Sequence, residues 1–469
     1  MIKGKQILVI GMARSGLAAV KLLAEMNAAK ITIADKKEAS ALEKELAGLE
    51  HYTNVEAVTG GTPPELVNAD FSMVVKSPGV PPDLDIFKRA RSLGLPVISE
   101  IELAYAFTKA PIVGVTGTNG KTTTTALIAA MLKEAHFDPV VTAGNIGNPL
   151  VGVVDSIGAQ GFIVAELSSF QLEDIKNFRS VVAVFLNFSE DHLDYHGTIE
   201  RYYLAKARIF ENQTRSDFAV LNASDSKVSS LEGAGRSRTL WFARGKVPLG
   251  AGLEDDWVVL YTGKTEPVRL CQKDAVALPG GHNLENALAA AAASWAAGAD
   301  PESIGAVLRS FRAIEHRLEP VATLQGVHYI NDSKGTNPGA SIKALQSFPG
   351  QGIILLAGGK DKGADFSGLA EVIADKAQLV LLYGETREQL ARALDRAGFK
   401  SYKFVKNLDE AVEQASSEAI AGEIVLLSPA CASWDMFPDY EARGRRFKDL
   451  IGTLKNRETG KGGRENGLA

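Results

Sequence analysis

The chain has 469 residues, 45% of them hydrophobic and 23% charged, and its formal net charge is −5 at pH 7. This length predicts about three globular domains, and the slight acidic excess argues against the strongly basic surface of a protein that binds nucleic acid or anionic membranes. Two distant cysteines and the lack of any apolar run of membrane-spanning length exclude a cysteine-rich metal site and a transmembrane helix, so we expect a cytoplasmic protein.

The first predicted domain, residues 1–109, alternates short apolar runs with helix-compatible stretches. The runs at 7–10, 31–34, 71–75 and 97–98 predict the parallel strands of a Rossmann-like α/β domain. The turn after the first strand, residues 11–16, resembles a dinucleotide-binding turn with Ala13 in place of its middle glycine, and Asp35 closes the next strand. This pattern fits either a nucleotide pocket or a simple tight strand-to-helix turn.

The second predicted domain, residues 110–313, begins with a loop typical of phosphate binding. Residues 116–126 read TGTNGKTTTTA and lie between an apolar run and a helix-compatible run. Glycines let consecutive backbone N–H groups point inward, Lys121 supplies a point charge and Thr122 offers a hydroxyl to Mg²⁺, so the expected ligand is Mg-ATP or Mg-GTP. Val115 stands where the general pattern has glycine, and a glycine-rich turn without a ligand is the simpler alternative.

Polar residues follow two further predicted strands of this domain. Glu166 ends the run 162–165, where a second contact to Mg²⁺ would be needed, although a surface glutamate at a strand end is also common. The run 181–186 is followed by the polar loop 187–197, which includes His192. This loop either converges on the same crevice or is a solvated charged loop. The domain as a whole is expected to be P-loop ATPase-like, with a mostly parallel sheet.

Lys206 lies on the apolar face of a predicted helix, residues 199–212, together with Tyr202 and Phe210. Burying an ammonium group is costly, so such a lysine is usually paired, deprotonated or chemically modified. The alternative is that the aliphatic stem covers the apolar face while the ammonium reaches water.

The third predicted domain, residues 314–454, shows the same alternation and indicates a second Rossmann-like domain. Its predicted strands are 327–330, 353–357, 379–383 and 424–427. Polar loops at 331–337, 358–363 and 428–437 follow three of these strands, and such loops form a binding edge where parallel strands end. Residues 455–469 are rich in glycine and charge and almost free of apolar side chains, so we expect a disordered tail.

Taken together, these motifs resemble the Mur ligase family, ATP-dependent enzymes that form amide bonds in bacterial peptidoglycan synthesis. The marks common to that family are GTNGKT at 117–122, Asp191-His192-Leu193-Asp194 with Lys206 downstream, Asn283 with Asn286, and His316-Arg317. The marks that resemble its D-glutamate-adding members are GNIG at 144–147, ELSSFQL at 166–172, NDSK at 331–334 with Thr336-Asn337, and the segment 428–433. The resemblance covers nearly the whole chain.

The resemblance implies a site built from all three domains. It places ATP on Gly117, Thr118, Asn119, Gly120, Lys121, Thr122, Thr123, Asn286, Arg317, Asp332 and Lys334, and it gives a catalytic role to Lys121, His192, Lys206 and Arg317. It implies two Mg²⁺ ions held by Thr122, Glu166, His192 and Lys206, with the lysine carbamylated. It implies that UDP-N-acetylmuramoyl-L-alanine contacts Ser15, Asp35, Lys36, Lys37, Ser77, Asn145 and Ser168, and that D-glutamate contacts Thr336, Lys362, Ser433 and Tyr440.

Three alternatives remain beside this interpretation. Folylpolyglutamate synthase shares the phosphate loop and forms glutamyl amides, but the whole domain ahead of that loop weighs against it. A family member that adds another amino acid is disfavoured by the segment 428–437. A nucleotide switch or motor would need only the phosphate loop and Glu166, which leaves Lys206 without a role. The implied partners are small molecules, with no nucleic acid or membrane, and a monomer is expected.

Overall fold

The structure is a computed structural model, and it describes residues 2–145, 147–278, 280–311, 315–348, 350–361 and 363–462. Three sheets with covering helices form the described chain, and all three are parallel for most of their width. The predicted α/β class is confirmed.

The first sheet belongs to the N-terminal part of the chain. Its strands are β1 (Gln6–Ile10), β2 (Lys30–Ala34), β3 (Val55–Val58), β4 (Phe71–Lys76) and β5 (Val97–Ser99), in the order β3-β2-β1-β4-β5. Its helices are α1 (Arg14–Glu25), α2 (Glu43–Ala47), α3 (Asp85–Ser92) and α4 (Glu100–Tyr105). The pairs between these strands are parallel, and a parallel sheet with helices on both faces needs apolar residues throughout, as in β1.

The second sheet carries the phosphate loop. Its strands are β6 (Ile112–Thr116), β7 (Val140–Gly144), β8 (Phe162–Glu166), β9 (Val182–Phe185), β10 (Phe218–Asn222), β11 (Arg238–Phe242), β12 (Gly250–Glu254), β13 (Trp257–Tyr261) and β14 (Val268–Gln272). Their order is β14-β13-β12-β11-β10-β9-β6-β8-β7, and only β13 pairs antiparallel with its neighbours. The helices of this part are α5 (Lys121–Glu134), α6 (Ser169–Leu172), α7 (Leu193–His196), α8 (Ile199–Ala207), α9 (Ser226–Ser229), α10 (Gly281–Ala296) and α11 (Pro301–Ser310).

The third sheet lies in the C-terminal part. Its strands are β15 (Glu319–Leu324), β16 (Val327–Asn331), β17 (Ile353–Gly358), β18 (Ala377–Tyr383), β19 (Tyr402–Phe404) and β20 (Ile424–Leu427), in the order β15-β16-β20-β17-β18-β19 with β15 antiparallel. Its helices are α12 (Pro338–Gln346), α13 (Ser367–Lys376), α14 (Arg387–Arg396), α15 (Leu408–Glu418) and α16 (Tyr440–Gly462). Helix α16 extends past residue 454 to Gly462, and 463–469 lie outside the described residues, so a disordered tail stays a prediction.

Contacts divide the chain into two compact units. The first is Met1–Val276 with Asn283–Phe311, and the second is Ala277–His282 with Arg312–Ala469. The first and second sheets share the first unit because one hydrophobic core runs through both, from Val9 and Leu23 to Ile163 and Phe185. In the described part of the chain, no helix has both the length and the apolar character needed to cross a membrane.

Candidate active site

The phosphate loop lies between the buried strand β6 and helix α5. Gly117 and Gly120 have positive φ angles of 144° and 86°, which favour glycine. A Cβ atom at Gly120 would lie 2.2 Å from the side-chain oxygen of Asn286, so a larger residue does not fit. The Lys121 ammonium donates to the carbonyl oxygens of Gly117 and Thr118, both at 2.9 Å. The loop therefore places the positive charge of Lys121 at the N terminus of a long helix. The backbone N–H groups at a helix N terminus also attract negative charge, so both features favour an anionic ligand.

Glu166 lies at the carboxyl end of β8, beside this loop. Strand β8 pairs with β6 so that Glu166 is opposite Val115. Glu166 is 3% exposed and accepts hydrogen bonds from Thr122 Oγ1 at 2.8 Å and Asn145 Nδ2 at 3.2 Å, and Thr123 is buried in the helix next to Thr122. The alternative of a surface glutamate is wrong. A carboxylate beside a threonine hydroxyl is a set of hard oxygen donors, which fits Mg²⁺.

Lys206 is buried against the phosphate loop. It is 2% exposed, and its Nζ donates to the carbonyl oxygen of Gly117 at 2.9 Å and lies 4.6 Å from the centre of the Tyr202 ring. Burial lowers the pKa of the Lys206 ammonium well below its usual value, and the positive charge of Lys121 acts in the same direction. The alternative in which the ammonium reaches water is therefore wrong. A neutral amine at this position is a nucleophile.

His192 lies at the turn before α7, near Tyr202. Its backbone is left-handed, with a φ of 53°, and its ring centre lies 4.9 Å from that of Phe170 and 6.0 Å from that of Tyr202. Over the described ranges, no group of three or more His, Cys, Asp or Glu is placed to hold a metal ion. Mg²⁺ at this site would need oxygens from the nucleotide, the substrate or a carbamate beside those of the protein.

The loop after β9 packs directly on the phosphate loop, so the two converge as one of the sequence interpretations expected. The N–H of Thr118 donates to the carbonyl oxygen of Asn187 at 2.9 Å, and the N–H of Asn119 donates to Asn187 Oδ1 at 2.9 Å. The Thr118 hydroxyl donates to the carbonyl oxygen of Ser189 at 3.1 Å and accepts from the Tyr202 hydroxyl at 3.3 Å. These bonds join the segment that leads to His192 to the phosphate loop.

In the first domain, Asp35 holds the turn after β1. Its carboxylate accepts the N–H of Met12 at 2.8 Å and that of Lys37 at 3.0 Å. A Cβ atom at Gly16 would lie 1.8 Å from the carbonyl oxygen of Gly11, so the strand and helix approach closely. The tight-turn interpretation thus describes the backbone, and a nucleotide pocket at this turn stays a prediction.

The other substrate contacts expected in this domain differ in exposure. Ser15 is partly buried in α1, whereas Lys36 and Lys37 are exposed. Ser77 is buried after β4 and donates its hydroxyl to the carbonyl oxygen of Gly11 at 3.1 Å. Ser77 therefore supports the turn after β1, whatever else it contacts.

Ser168 caps the short helix α6 and is linked to the first domain. Its hydroxyl donates to Gln171 Oε1 at 3.1 Å, and Gln171 Nε2 donates to Glu100 Oε1 at 2.8 Å. Glu100 is 1% exposed, and burial raises its pKa to about 7 although hydrogen bonds from Gln171 and Val151 oppose the shift. Sequence analysis missed Glu100, because an acid in the first turn of a helix needs no further explanation.

In the second unit, Asp332 is buried just after β16. Its carboxylate accepts hydrogen bonds from Ser428 Oγ at 2.7 Å and from the N–H of Leu318 at 3.2 Å. Burial raises the pKa of Asp332 to about 6, and the charge of Arg317 opposes the shift. Arg317 Nε is buried and has no hydrogen-bond partner among the described residues. A buried donor of this kind is readily satisfied by an anionic ligand.

Two of the polar loops at the carboxyl edge of the third sheet are joined by Arg443 of α16. Arg443 is 1% exposed and donates to the carbonyl oxygens of Ser333 at 2.7 Å and Cys431 at 3.2 Å. These bonds fix the backbones of the 331–337 and 428–437 loops to one another. Sequence analysis missed Arg443, because it lies more than a hundred residues from Ser333 in the chain.

The residues expected to contact D-glutamate belong to the loops 331–337, 358–363 and 428–437 and to the start of α16. Ser433 is 2% exposed, and Thr336 is partly buried. The Lys334 ammonium lies 5.3 Å from the centre of the Tyr440 ring. Lys362 lies outside the described residues. The structure thus brings Lys334 and Tyr440 together, and the roles of these residues stay predictions.

Three family models match the chain in succession. A Mur ligase MurD-like N-terminal domain matches residues 5–99, a Mur ligase middle domain matches 115–294, and a Mur ligase glutamate ligase domain matches 316–431. The first of these segments contains all strands of the first sheet, the second contains most of the second sheet, and the third contains all strands of the third sheet.

Curated relatives are similar over almost their whole length. A UDP-N-acetylmuramoylalanine--D-glutamate ligase from Pelotomaculum thermopropionicum is 46% identical over 453 residues, which cover 96% of this chain and 98% of the relative. A ligase of the same name from Clostridioides difficile is 42% identical over 456 residues, covering 97% and 100%. Among solved structures, a UDP-N-acetylmuramate-alanine ligase from Thermotoga maritima has a TM-score of 0.60 at 22% identity, covering 96% of this chain and 100% of that one. This last similarity concerns the fold alone.

Proposed function

The chain belongs to the Mur ligase family and is an ATP-dependent ligase, and we propose that it adds D-glutamate to UDP-N-acetylmuramoyl-L-alanine in peptidoglycan precursor synthesis. The full-length similarity to D-glutamate ligases supports this choice of substrates. The structural observation that favours a ligase over a nucleotide switch is the buried amine of Lys206 at 2.9 Å from the Gly117 carbonyl oxygen, because a switch would need only the phosphate loop and Glu166. The MurD-like segment ahead of the phosphate loop argues against a folylpolyglutamate synthase.

The proposed reaction has two displacement steps. A carboxylate oxygen of the substrate attacks the γ-phosphorus of ATP, the bond from that phosphorus to the β-phosphate oxygen breaks, and an acyl phosphate and ADP form. The amine of D-glutamate then attacks the acyl carbon, phosphate leaves with the bridging oxygen, and the new amide nitrogen loses a proton. Lys121 stabilises the transferring group by offsetting its negative charge.

The proposed site would also bind two Mg²⁺ ions. Glu166 and Thr122 would hold one ion, and His192 and Lys206 would hold the other. Bound Mg²⁺ would offset the charge of the transferring phosphoryl group. Lys206 becomes a suitable ligand when its neutral amine adds CO₂ and loses a proton, because the resulting carbamate is an anionic oxygen donor. The lowered pKa of Lys206 supports this modification.

The remaining substrate contacts follow the domains, which we infer to be residues 1–109, 110–313 and 314–454 of a monomer. The uridine diphosphate end of the substrate would contact Ser15, Asp35, Lys36, Lys37 and Ser77, and its muramoyl-alanine end would contact Asn145 and Ser168. D-Glutamate would contact Thr336, Lys362, Ser433 and Tyr440. ATP would contact Asn286, Arg317, Asp332 and Lys334 in addition to the phosphate loop. Arg317 Nε is buried without a hydrogen-bond partner in the part of the chain that the structure describes, which supports assigning Arg317 to an anion.

Phosphate release tests this function. The wild-type chain with Mg-ATP and UDP-N-acetylmuramoyl-L-alanine should release phosphate rapidly with D-glutamate, and only slowly with L-glutamate, L-lysine or no amino acid. Lys121→Met should abolish the activity, whereas Lys133→Met, an exposed residue near the end of the same helix, should leave it unchanged. Release with another amino acid would keep the family and discard this substrate, and release with ATP alone would refute the proposal.

A further inference from the structure

Lys76 is a fully buried lysine that the proposed chemistry does not use. It is the last residue of β4 and has 0% exposure. Its ammonium lies 2.6 Å from Asp174 Oδ2 and 3.5 Å from Glu173 Oε2. Both acids follow α6 in the second domain, so this ion pair joins the two domains of the first unit. A buried charged side chain is tolerated only where several partners compensate the cost of its desolvation. Lys76 has a third partner besides these two carboxylates.

The third partner of Lys76 is the hydroxyl of Tyr195. Lys76 Nζ donates to Tyr195 Oη at 3.0 Å, and Tyr195 Oη donates to the carbonyl oxygen of Val80 at 3.3 Å. The N–H of Val80 in turn donates to the carbonyl oxygen of Ser77 at 3.0 Å. Tyr195, a residue of the second domain, is thus bonded to the loop of the first domain that begins at Ser77, a proposed substrate contact.

Tyr195 also belongs to the short helix that begins after His192. The N–H of Tyr195 donates to the carbonyl oxygen of His192 at 3.2 Å. The ring centres of Tyr195 and His192 lie 4.4 Å and 4.9 Å from that of Phe170. A shift of Tyr195 would therefore reach His192 both through the backbone and through Phe170.

We propose that Tyr195, held by Lys76, is a positioning residue that fixes His192 relative to the 77–80 loop. The proposal rests on the proposed function, in which the loop and His192 act on opposite ends of one substrate. The substrate's carboxylate reacts only if both ends are held at the correct separation, and a misplacement of about 1 Å costs about a hundredfold in rate. Removing one hydroxyl while the ring stays packed should cost less, about tenfold in kcat.

The test compares Tyr195→Phe with the matched control Tyr203→Phe, whose hydroxyl donates to the carbonyl oxygen of Lys227 at 2.9 Å. Tyr195→Phe should lower kcat about tenfold, with the KM for ATP and the melting temperature nearly unchanged, because the phosphate loop and the Lys76 ion pairs remain. Tyr203→Phe should keep kcat within about twofold of the wild type. An unchanged kcat in Tyr195→Phe would overturn the proposal, as would an equal fall in both variants or a fall matched by lost thermal stability.

A second measurement keeps this inference separate from the reaction itself. If the wild type releases no phosphate with its substrates, the proposed function fails, and hydrogen exchange of the substrate-free protein decides the positioning role. Tyr195→Phe should then speed the exchange of the N–H groups of Tyr195, His196 and Gly197, which donate to carbonyl oxygens of 192–193. The N–H groups of Ser229 and Ser230 in and after α9 should exchange as in the wild type. Equal protection of 195–197 in the two proteins would overturn the proposal.

Discussion

Replacing Glu100 by glutamine should stabilise the first unit at pH 8 but not at pH 5. The carboxyl group is 1% exposed, and burial raises its pKa from 4.5 to about 7. The folded chain therefore binds this proton more tightly than the unfolded chain does. The protonated Glu100 carboxyl contributes to the free energy of unfolding in full below pH 4.5, and this contribution is lost as the pH rises through about 7. One pKa unit corresponds to about 1.4 kcal/mol, so about 3 kcal/mol is lost in total and about 2.5 kcal/mol between pH 5 and pH 8.

Glutamine removes the titration while keeping the shape of the side chain. Its oxygen can still accept the hydrogen bond from Gln171 Nε2, which is 2.8 Å long in the wild type. Its amide nitrogen would face the N–H of Val151, which now donates to Glu100 Oε2 at 3.4 Å. Losing this long bond should cost about 1 kcal/mol at either pH. The variant should therefore be about 2 kcal/mol more stable than the wild type at pH 8 and about equally stable at pH 5.

Scanning calorimetry of the full chain at the two pH values measures this difference. For a unit of about 300 residues, 2 kcal/mol corresponds to a rise of about 3 °C in the melting temperature. The control is Glu43→Gln, which removes an exposed carboxylate in α2 and should shift the melting temperature equally, and only slightly, at both pH values. The same shift for Glu100→Gln at pH 5 and pH 8, or a loss of stability at pH 8, would refute the reasoning.

Three further predictions concern the site and its support. Glu166→Gln should lower kcat at least about a hundredfold in the phosphate-release assay, since it removes a charge proposed to hold Mg²⁺; activity within tenfold of the wild type would exclude that role. After labelling with ¹³C-bicarbonate, the folded protein should give one carbamate carbon resonance by NMR that Lys206→Met lacks, and a resonance that persists in the variant would place the carbamate elsewhere. Glu102→Ala should destabilise the first unit by about 3 kcal/mol in urea denaturation, because the Glu102 carboxylate accepts the three N–H groups of 176–178 at 2.8–3.0 Å; a loss below about 1 kcal/mol would contradict this.

Much of the fold followed from local patterns in the sequence. The strands at 7–10, 31–34 and 353–357 were predictable because a parallel strand covered on both faces needs a continuous apolar run. Strand β3 was not predicted, since its exposed Glu56 and partly buried ends give no such run. The antiparallel β13 and β14 were missed as well: β14 lies at the edge of the second sheet and mixes polar with apolar residues, whereas β13 is a continuous apolar run that was overlooked.

The phosphate loop and the helix face of Lys206 are properties of the sequence itself. The loop's chemistry lies in one contiguous segment, 116–122, and the position of a side chain on a helix follows from its spacing. Burial of Lys206 was therefore predictable, but its hydrogen bond to Gly117, 89 residues away, was not. Contacts between residues so far apart in the chain depend on the order of the strands within the sheet.

Only the tertiary structure decided which side chains meet at the site and which support it. Glu166 reaches Thr122 because β8 pairs with β6, although β7 lies between them in the chain. The bond between Glu100 and Gln171 exists only because helices of two domains pack on one core. The sequence by itself determined a phosphate loop and a buried lysine, since local spacing specifies both. Strand order and domain packing determined which residues these contact, because the contacting residues are far apart in the chain.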